Sequence, residues 1–453
     1  MRPTPLSACV LLLATVACTS PPVPSGAGGA ASAALFEGAT LIDGTGAVPV
    51  EGSAFLVEGG RISWVGLEGE REPPGGAARI DLSGRTVIPA LIDGHNHIGL
   101  VDVRTGTERK EHYTRETLLD HLRRYAYYGV AAALSMGLEE DRELAYALRD
   151  EVVPDAARFL TVGRGIAGTR MGGPQNEARL GIPYGAASAE EGRAHVRELQ
   201  ADGVRFVKIW VDDRGGTVPK LRPDVYRAII DEAHGLGMQV LAHVGRTSAL
   251  EDAKDLYRAG IDGFVHTVRD RDVDEEYLAL VREHPGVWTA PNMPSTPLTH
   301  EDLASLAETF PPGRVEAMRA EIERREAAGD TAPSELFELH CRNLRQYHGA
   351  GMIIGLGTDG TGDGFGVHEE MAAYTRCGLT AHEAIVAATR VNAELLGLDD
   401  LGTLQPGKSA SFVVLDASPL DDIRNSRAIS DVYLAGERVD REALRAGFLD
   451  GAM

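Results

Sequence analysis

The sequence predicts an α/β protein: a (β/α)8 barrel of TIM type with a small β-sandwich domain built from both termini. Three observations predict it. Eight short apolar runs, at 91–97, 130–136, 158–163, 204–210, 239–243, 262–266, 287–291 and 352–358, alternate with helix-like stretches such as Arg115–Tyr127 and Arg222–Leu236. That alternation folds as parallel strands wrapped by helices. Strand-rich segments with turn signals stand at both ends of it. Finally, His95, His97, Lys208, His243, His266 and Asp359 fall at or near the ends of apolar runs. All six are types that bind or bridge divalent metals, and a barrel of this kind carries its site at the C-terminal ends of its strands.

The elements follow in chain order. Arg2 is a short basic region, and Ala8–Ala17 is an apolar run too short to span a bilayer. Thr15-Val-Ala-Cys18 then resembles a bacterial lipoprotein signal, with Thr15 where Leu is usual. The expectation is a signal peptide over 1–18, a lipid on Cys18 and a flexible tether over 19–33, rich in Ser, Pro, Gly and Ala. The alternative is ordinary cleavage after Ala33, and either route exports the protein. Membrane association is expected only through that anchor.

Residues 34–86 read as strands, with Glu58-Gly-Gly-Arg61 as a hairpin turn. Residues 401–453 read similarly through Ser411–Asp416 and Asp431–Arg438. Together they form the discontinuous β-sandwich, and 87–400 form the barrel. His266 and Asp359 stand further apart than two βα units require, and the excess maps to 294–331. Two helix-like stretches lie there, at Glu301–Glu308 and Arg314–Arg325. An insertion after the seventh strand is either a lid over the site or a surface hairpin.

A chain of 453 residues, 43% hydrophobic and 25% charged, can bury a sizeable core. Its net charge of -22 repels phosphate backbones and argues against a nucleic-acid partner. Four cysteines offer no Cys-x-x-Cys spacing, so a zinc ribbon is unsupported. Cys341 and Cys377 fall in expected helices and read as buried thiols rather than a disulfide.

In a strand, residues two apart share a side, so His95 and His97 can reach one ion. Two inert, hydrogen-bonded imidazoles would be the reading if they stood alone; the four later positions argue against it. Lys208 lies among Phe206, Val207, Ile209 and Trp210. A buried ammonium there is costly unless paired, for instance with Asp212 or Asp359. Burial also lowers a lysine pKa, which favours an uncharged amine able to add carbon dioxide. Asp359 could be a helix cap, or a metal ligand that also moves a proton. Arg170 and Arg246 are cations near the expected mouth and, with Trp210, are candidate substrate-binding residues. Ala133-Leu-Ser-Met-Gly137 misses the nucleophile-elbow pattern. Gly360–Gly366 lacks phosphate-loop spacing. His340, His348 and His368 read as core, solvated or packing residues.

The order of the six residues resembles the amidohydrolase superfamily across nearly the whole mature chain. Leu41-Ile-Asp-Gly-Thr-Gly46, Val57-Glu-Gly-Gly-Arg-Ile62 and Gly402-Thr-Leu-Gln-Pro-Gly-Lys408 add to the likeness. Within the family the spacing is most similar to imidazolonepropionase-like and prolidase-like enzymes. Two departures, Ala90 for Gly and Ser411 for Asp, lie off the site. The resemblance implies two divalent ions, zinc by expectation. His95, His97 and Asp359 would hold one, His243 and His266 the other, and a carbamylated Lys208 would bridge them. It implies hydrolysis of a C–N bond by a metal-bridging hydroxide, with Asp359, Lys208 and His266 as the catalytic residues. The expected substrate is a small molecule, a dipeptide or an N-acyl amino acid. Alternatives are a mononuclear cyclic-amide hydrolase or deaminase with unmodified Lys208, and a lactone or organophosphate esterase on the same site. A further alternative is a non-catalytic, lipid-anchored binding protein. An oligomer is compatible with all of them.

Overall fold

The computed structural model describes residues 33–173 and 177–450. The expected leader, the tether and Cys18 lie outside the described residues. Among those described, no helix is long and apolar enough to cross a membrane.

Eight parallel strands appear where the apolar runs stand. They are β1 (Leu91–Asn96), β2 (Val130–Ser135), β3 (Arg158–Thr161), β4 (Phe206–Val211), β5 (Gln239–Val244), β6 (Gly263–Phe264), β7 (Trp288–Thr289) and β8 (Ile353–Ile354). The intervening helices include α1 (Arg115–Tyr127), α2 (Arg142–Arg149), α3 (Ala189–Ala201), α4 (Pro223–Gly235), α5 (Ala249–Ala259) and α6 (Glu275–Glu283). Several start on the polar caps their sequences offer: Thr114, Asp141, Ser188 and Asp274 each accept a backbone N–H of the first turn.

The ladder hydrogen bonds fall in two sheets rather than one ring. One is β3–β2–β1, and the other runs from Tyr184–Gly185 and Ile166–Ala167 through β4 to β8. The sheets meet where β1 runs beside β8. Gly94 N donates to Leu356 O at 2.9 Å, and Asp359 N donates to His95 O at 2.7 Å. Two buried side chains clamp this seam. Asn392 donates to Ile92 O and Leu356 O, each at 2.7 Å, and accepts from Leu356 N. Asp93 accepts from His95 N, Thr358 N, Thr358 Oγ1 and Tyr125 OH.

Strands from both ends of the chain meet in one place, but as a single eight-stranded sheet rather than the two packed sheets of a sandwich. Thr86–Pro89 joins the halves, pairing Ala34–Leu41 on one side and Phe412–Leu415 on the other. The sheet bends on itself: Phe36 lies edge-on to both Phe412 and Tyr433, with ring centroids 5.1 Å apart. These rings come from the sheet's own strands and pack between its two bent parts.

The stretch between β7 and β8 carries α7 (His300–Leu306), α8 (Pro312–Ala327) and α9 (Glu335–Ala350). Its first part is tied to the end of α1 and to the C-terminal segment. Arg124 donates to Thr309 O at 2.6 Å, Tyr128 OH donates to Ser305 O at 3.1 Å, and Arg427 pairs with Asp302.

The expectation of free thiols is also corrected. Cys341 and Cys377 form a disulfide, with Cα atoms 4.7 Å apart. Cys341 lies on α9, and Cys377 caps the end of α10 (Gly366–Arg376). Two buried thiols in successive helices carry no spacing signal; only the packing of α9 on α10 brings them together. A cross-link over 36 residues restricts the unfolded chain by about 3–4 kcal/mol.

Candidate metal centre

His95 stands one residue before the end of β1, and His97 follows directly after it. Both are buried, with ring centroids 5.2 Å apart. Gly357 permits the approach of β8, because a Cβ there would lie 2.5 Å from the Cβ of His95. Asp359 follows β8 in a left-handed conformation, φ +52°. That is a strained backbone for a non-glycine residue, of the kind that collects at functional sites. The turn delivers its carboxylate to 3.1 Å from His97 Nε2 and 3.5 Å from His95 Nε2. The ligand atoms of these three residues lie within 4.8 Å of one another.

The electrostatics suit a cation. Burial holds the His95 and His97 imidazoles below their ordinary pKa. Burial alone would push the Asp359 carboxyl up, but His95, the hydrogen bond from His97 and Lys208 together hold it well below the carboxylate range. Both ring nitrogens of His95 and Nδ1 of His97 are buried without a hydrogen-bond partner among the described residues. Orphaned buried nitrogens are costly unless something binds them. The cluster therefore fits a divalent metal.

Lys208 points from the middle of β4 into the same region. It is buried, and its Nζ has no hydrogen-bond partner among the described residues. Burial brings the amine down to about 7; Asp359 opposes this, while Arg269 and Arg214 add to it. Trp210, two residues on, lies beside it with Nζ 5.4 Å from the ring centroid. The indole is admitted by Gly165, where a Cβ would meet it at 2.2 Å.

His243, on β5, and His266, just past β6, lie on the other side of the mouth, with ring centroids 4.5 Å apart. His266 is 5.3 Å from His95 by the same measure. Each is held by a neighbour. His243 Nε2 faces Asp212 Oδ2 at 3.2 Å, and His266 Nδ1 faces Asn292 Oδ1 at 2.7 Å. Burial lowers the pKa of both.

All six sequence-predicted residues thus gather at one mouth. Of the candidate substrate residues, Trp210 is there. Arg246 is exposed and close enough to lower the pKa of Arg269. Arg170 is not drawn in: it is exposed and donates to Gly181 O at 2.8 Å. Sequence reasoning missed Asp93, Arg214, Arg269, Asn292 and Asn392, and left Asp212 only as an ion-pair partner of Lys208. Arg269 donates to Val244 O at 3.1 Å and lies 3.4 Å from His243 Nε2. His340 and His368 are core residues, bonded to Thr267 and to Ser426 and Tyr128 O.

The sequence matches the Amidohydrolase family over residues 86–439, and the chain belongs to that family. It is a hydrolase acting on carbon–nitrogen bonds. It is similar to an imidazolonepropionase of Cereibacter sphaeroides, 29% identical over 84% of this chain and 91% of that protein. It is also similar to a 5-methylthioadenosine/S-adenosylhomocysteine deaminase of Symbiobacterium thermophilum, 27% identical over 84% of this chain and 85% of that protein. Among solved structures, a putative prolidase from Bifidobacterium longum superposes with a TM-score of 0.68 at 26% identity, covering 92% of this chain and 99% of that one.

Proposed function

We propose that this chain is a metal-dependent amidohydrolase cleaving the amide bond of a small substrate with a free carboxylate, either a dipeptide or an N-acyl amino acid. The observation that carries the substrate class is the group of guanidinium ions on the β5–β6 side. Arg269 is largely buried beside His243, with its Nε lacking a hydrogen-bond partner among the described residues. Burial and its neighbours Arg246 and Arg214 bring its pKa down to about 10 against the pull of Asp359 and Asp212. Positive charges crowded at a mouth suit an anionic substrate group. The resemblance to a putative prolidase supports the same reading.

In this reading the eight strands act as a (β/α)8 barrel over 87–400, the terminal segments form the accessory domain, and the chain is exported with lipid on Cys18. His95, His97 and Asp359 would hold one divalent ion and His243 and His266 a second, with Lys208 between them as a carbamate. Bound divalent ions, zinc by preference, would supply Lewis acidity that polarises the scissile carbonyl and lowers the pKa of water. The near-neutral Lys208 amine is competent to add carbon dioxide. Asp359, ionised and set against both imidazoles, takes up the proton of the attacking water and passes it to the leaving nitrogen. Trp210 keeps the Lys208 side of the site dry.

A second reading has one ion and an unmodified Lys208, on a cyclic amide or an aminopurine-like substrate. It is favoured by His243 and His266 being engaged by Asp212 and Asn292. Metal content separates the two: near two ions per chain or near one. The substrate class is tested by assaying zinc-loaded enzyme against dipeptides and N-acyl amino acids alongside their C-terminal amides. The free acids are expected to turn over and the amides to fail. Equal turnover of both would remove the carboxylate requirement.

A further inference from the structure

Behind the His-x-His pair lies a second polar chamber that the reaction does not use. Asn96 pairs in register with Ser135 of β2, and Ser135 with Thr161 of β3. Paired residues on neighbouring strands point to the same side at a spacing of about 4.8 Å. The three side chains therefore form one row, all buried. Glu139, in the loop after β2, folds over this row and accepts a hydrogen bond from Thr161 Oγ1 at 2.6 Å. Tyr113, in the β1–α1 loop, lies near enough for the Glu139 charge to add to the burial that raises its pKa.

The chamber is short of partners. Asn96 Oδ1 and Nδ2, Ser135 Oγ, Glu139 Oε2 and Tyr113 OH are all buried with no hydrogen-bond partner among the described residues. Glu139 is completely buried, and burial pushes its carboxyl up to about 7 against the hydrogen bond it accepts from Thr161. Arg164 does not neutralise it: its guanidinium donates to the main-chain carbonyls of Glu139 and Glu140. On the far side of Arg164 opens a cavity of about 610 Å³ lined by Glu140, Asp141, Glu143 and Glu198 as well as Arg142. A cation therefore meets an acidic approach.

We propose that this chamber binds one monovalent alkali cation through the Glu139 carboxylate, Asn96 Oδ1 and the hydroxyls of Ser135, Thr161 and Tyr113. An all-oxygen donor set selects hard cations over transition metals, and a single carboxylate balances a single positive charge. Because Asn96 sits between His95 and His97, the ion braces the back of the pair that serves the metal centre. It ties the ends of β1, β2 and β3 together.

The test uses the full, zinc-loaded chain. Melting temperature is measured in NaCl, KCl and choline chloride at equal ionic strength, and crystals are soaked in a thallium(I) salt. A saturable rise in Tm with sodium or potassium over choline is expected, with an anomalous thallium peak beside Glu139. Glu139→Gln should abolish both. If that variant does not fold, Ser135→Ala should raise the half-saturating cation concentration several-fold. Identical melting in all three salts, or a chamber holding only ordered water, would overturn the proposal.

Discussion

The two sides of the mouth are built differently. On the β1–β8 side, the ring nitrogens of His95 and His97 have no partner among the described residues but Asp359, which a strained turn holds against them. On the β5–β6 side, His243 and His266 already have partners in Asp212 and Asn292. The first side is preorganised for a ligand and carries the cost of unsatisfied buried groups until one arrives. The second has its imidazoles fixed by outer groups, the arrangement that sets tautomer and orientation in metal sites. The difference teaches that one site is prepared for an ion, whereas in the two-ion reading a second would depend on neighbours that also decide which ring nitrogen is free.

The largest effect should come from the prepared side. Asp359→Asn keeps the shape and a weak oxygen ligand but cannot take up a proton. Turnover should fall about 10²–10⁴-fold, mainly in kcat. The ion count of the variant must be measured with its rate, because metal loss would imitate the effect. A variant that keeps its metal and hydrolyses near the wild-type rate would show that Asp359 is not the proton carrier.

Next comes the residue between the two sides. Lys208→Ala should take the ion count from near two towards one, with a matching loss of activity. Short carboxylic acids such as acetate or propionate should restore part of both, since a carbamate acts through its oxygens. An ion-pairing lysine would not be replaced by an anion, so failure of rescue favours the single-ion reading.

The comparison also shows what the sequence could and could not disclose. The eight strands were legible because apolar runs bounded by polar residues leave few other folds, and the six site residues because each stands against such a run. Lys208 stood out as the charge inside Phe206–Val211. Asp212, Arg214, Arg269 and Asn292 were not assigned to the site. They lie in loops, where local pattern sets neither direction nor partner, and the left-handed conformations of Arg214 and Asn292 leave no compositional mark. The Asp93 and Asn392 clamps were hidden for another reason. A lone polar residue in an apolar stretch reads alike whether it faces a helix or a neighbouring strand. The disulfide and the single bent sheet depend on contacts between distant segments, on which periodicity is silent.

Asp212 sharpens the contrast. If His243 holds a metal through one nitrogen while donating from the other to Asp212, then Asp212→Asn should weaken the second ion by about 10–100-fold and leave the first untouched. Competitive chelation, read as two separate steps, checks this. Equal weakening of both ions would mean that the two sides act as one unit.

The smallest effect is expected furthest from the metals, at Arg246. Its side chain is exposed, so water and salt screen its attraction for a substrate carboxylate, and an exposed charge pair is worth about 0.2–1 kcal/mol. Arg246→Ala should therefore raise KM only about two- to five-fold, with kcat unchanged. Arg269 is largely buried and lies against His243, so it should matter more: charge-assisted hydrogen bonds away from water are worth about 1.5–3 kcal/mol. The two can be told apart by salt. Raising ionic strength should erase the Arg246 effect while most of an Arg269→Met defect persists. If Arg246→Ala instead lowers kcat, the group acts on the reacting atoms rather than on a distant carboxylate. The anionic-substrate reading would then rest on Arg269 alone.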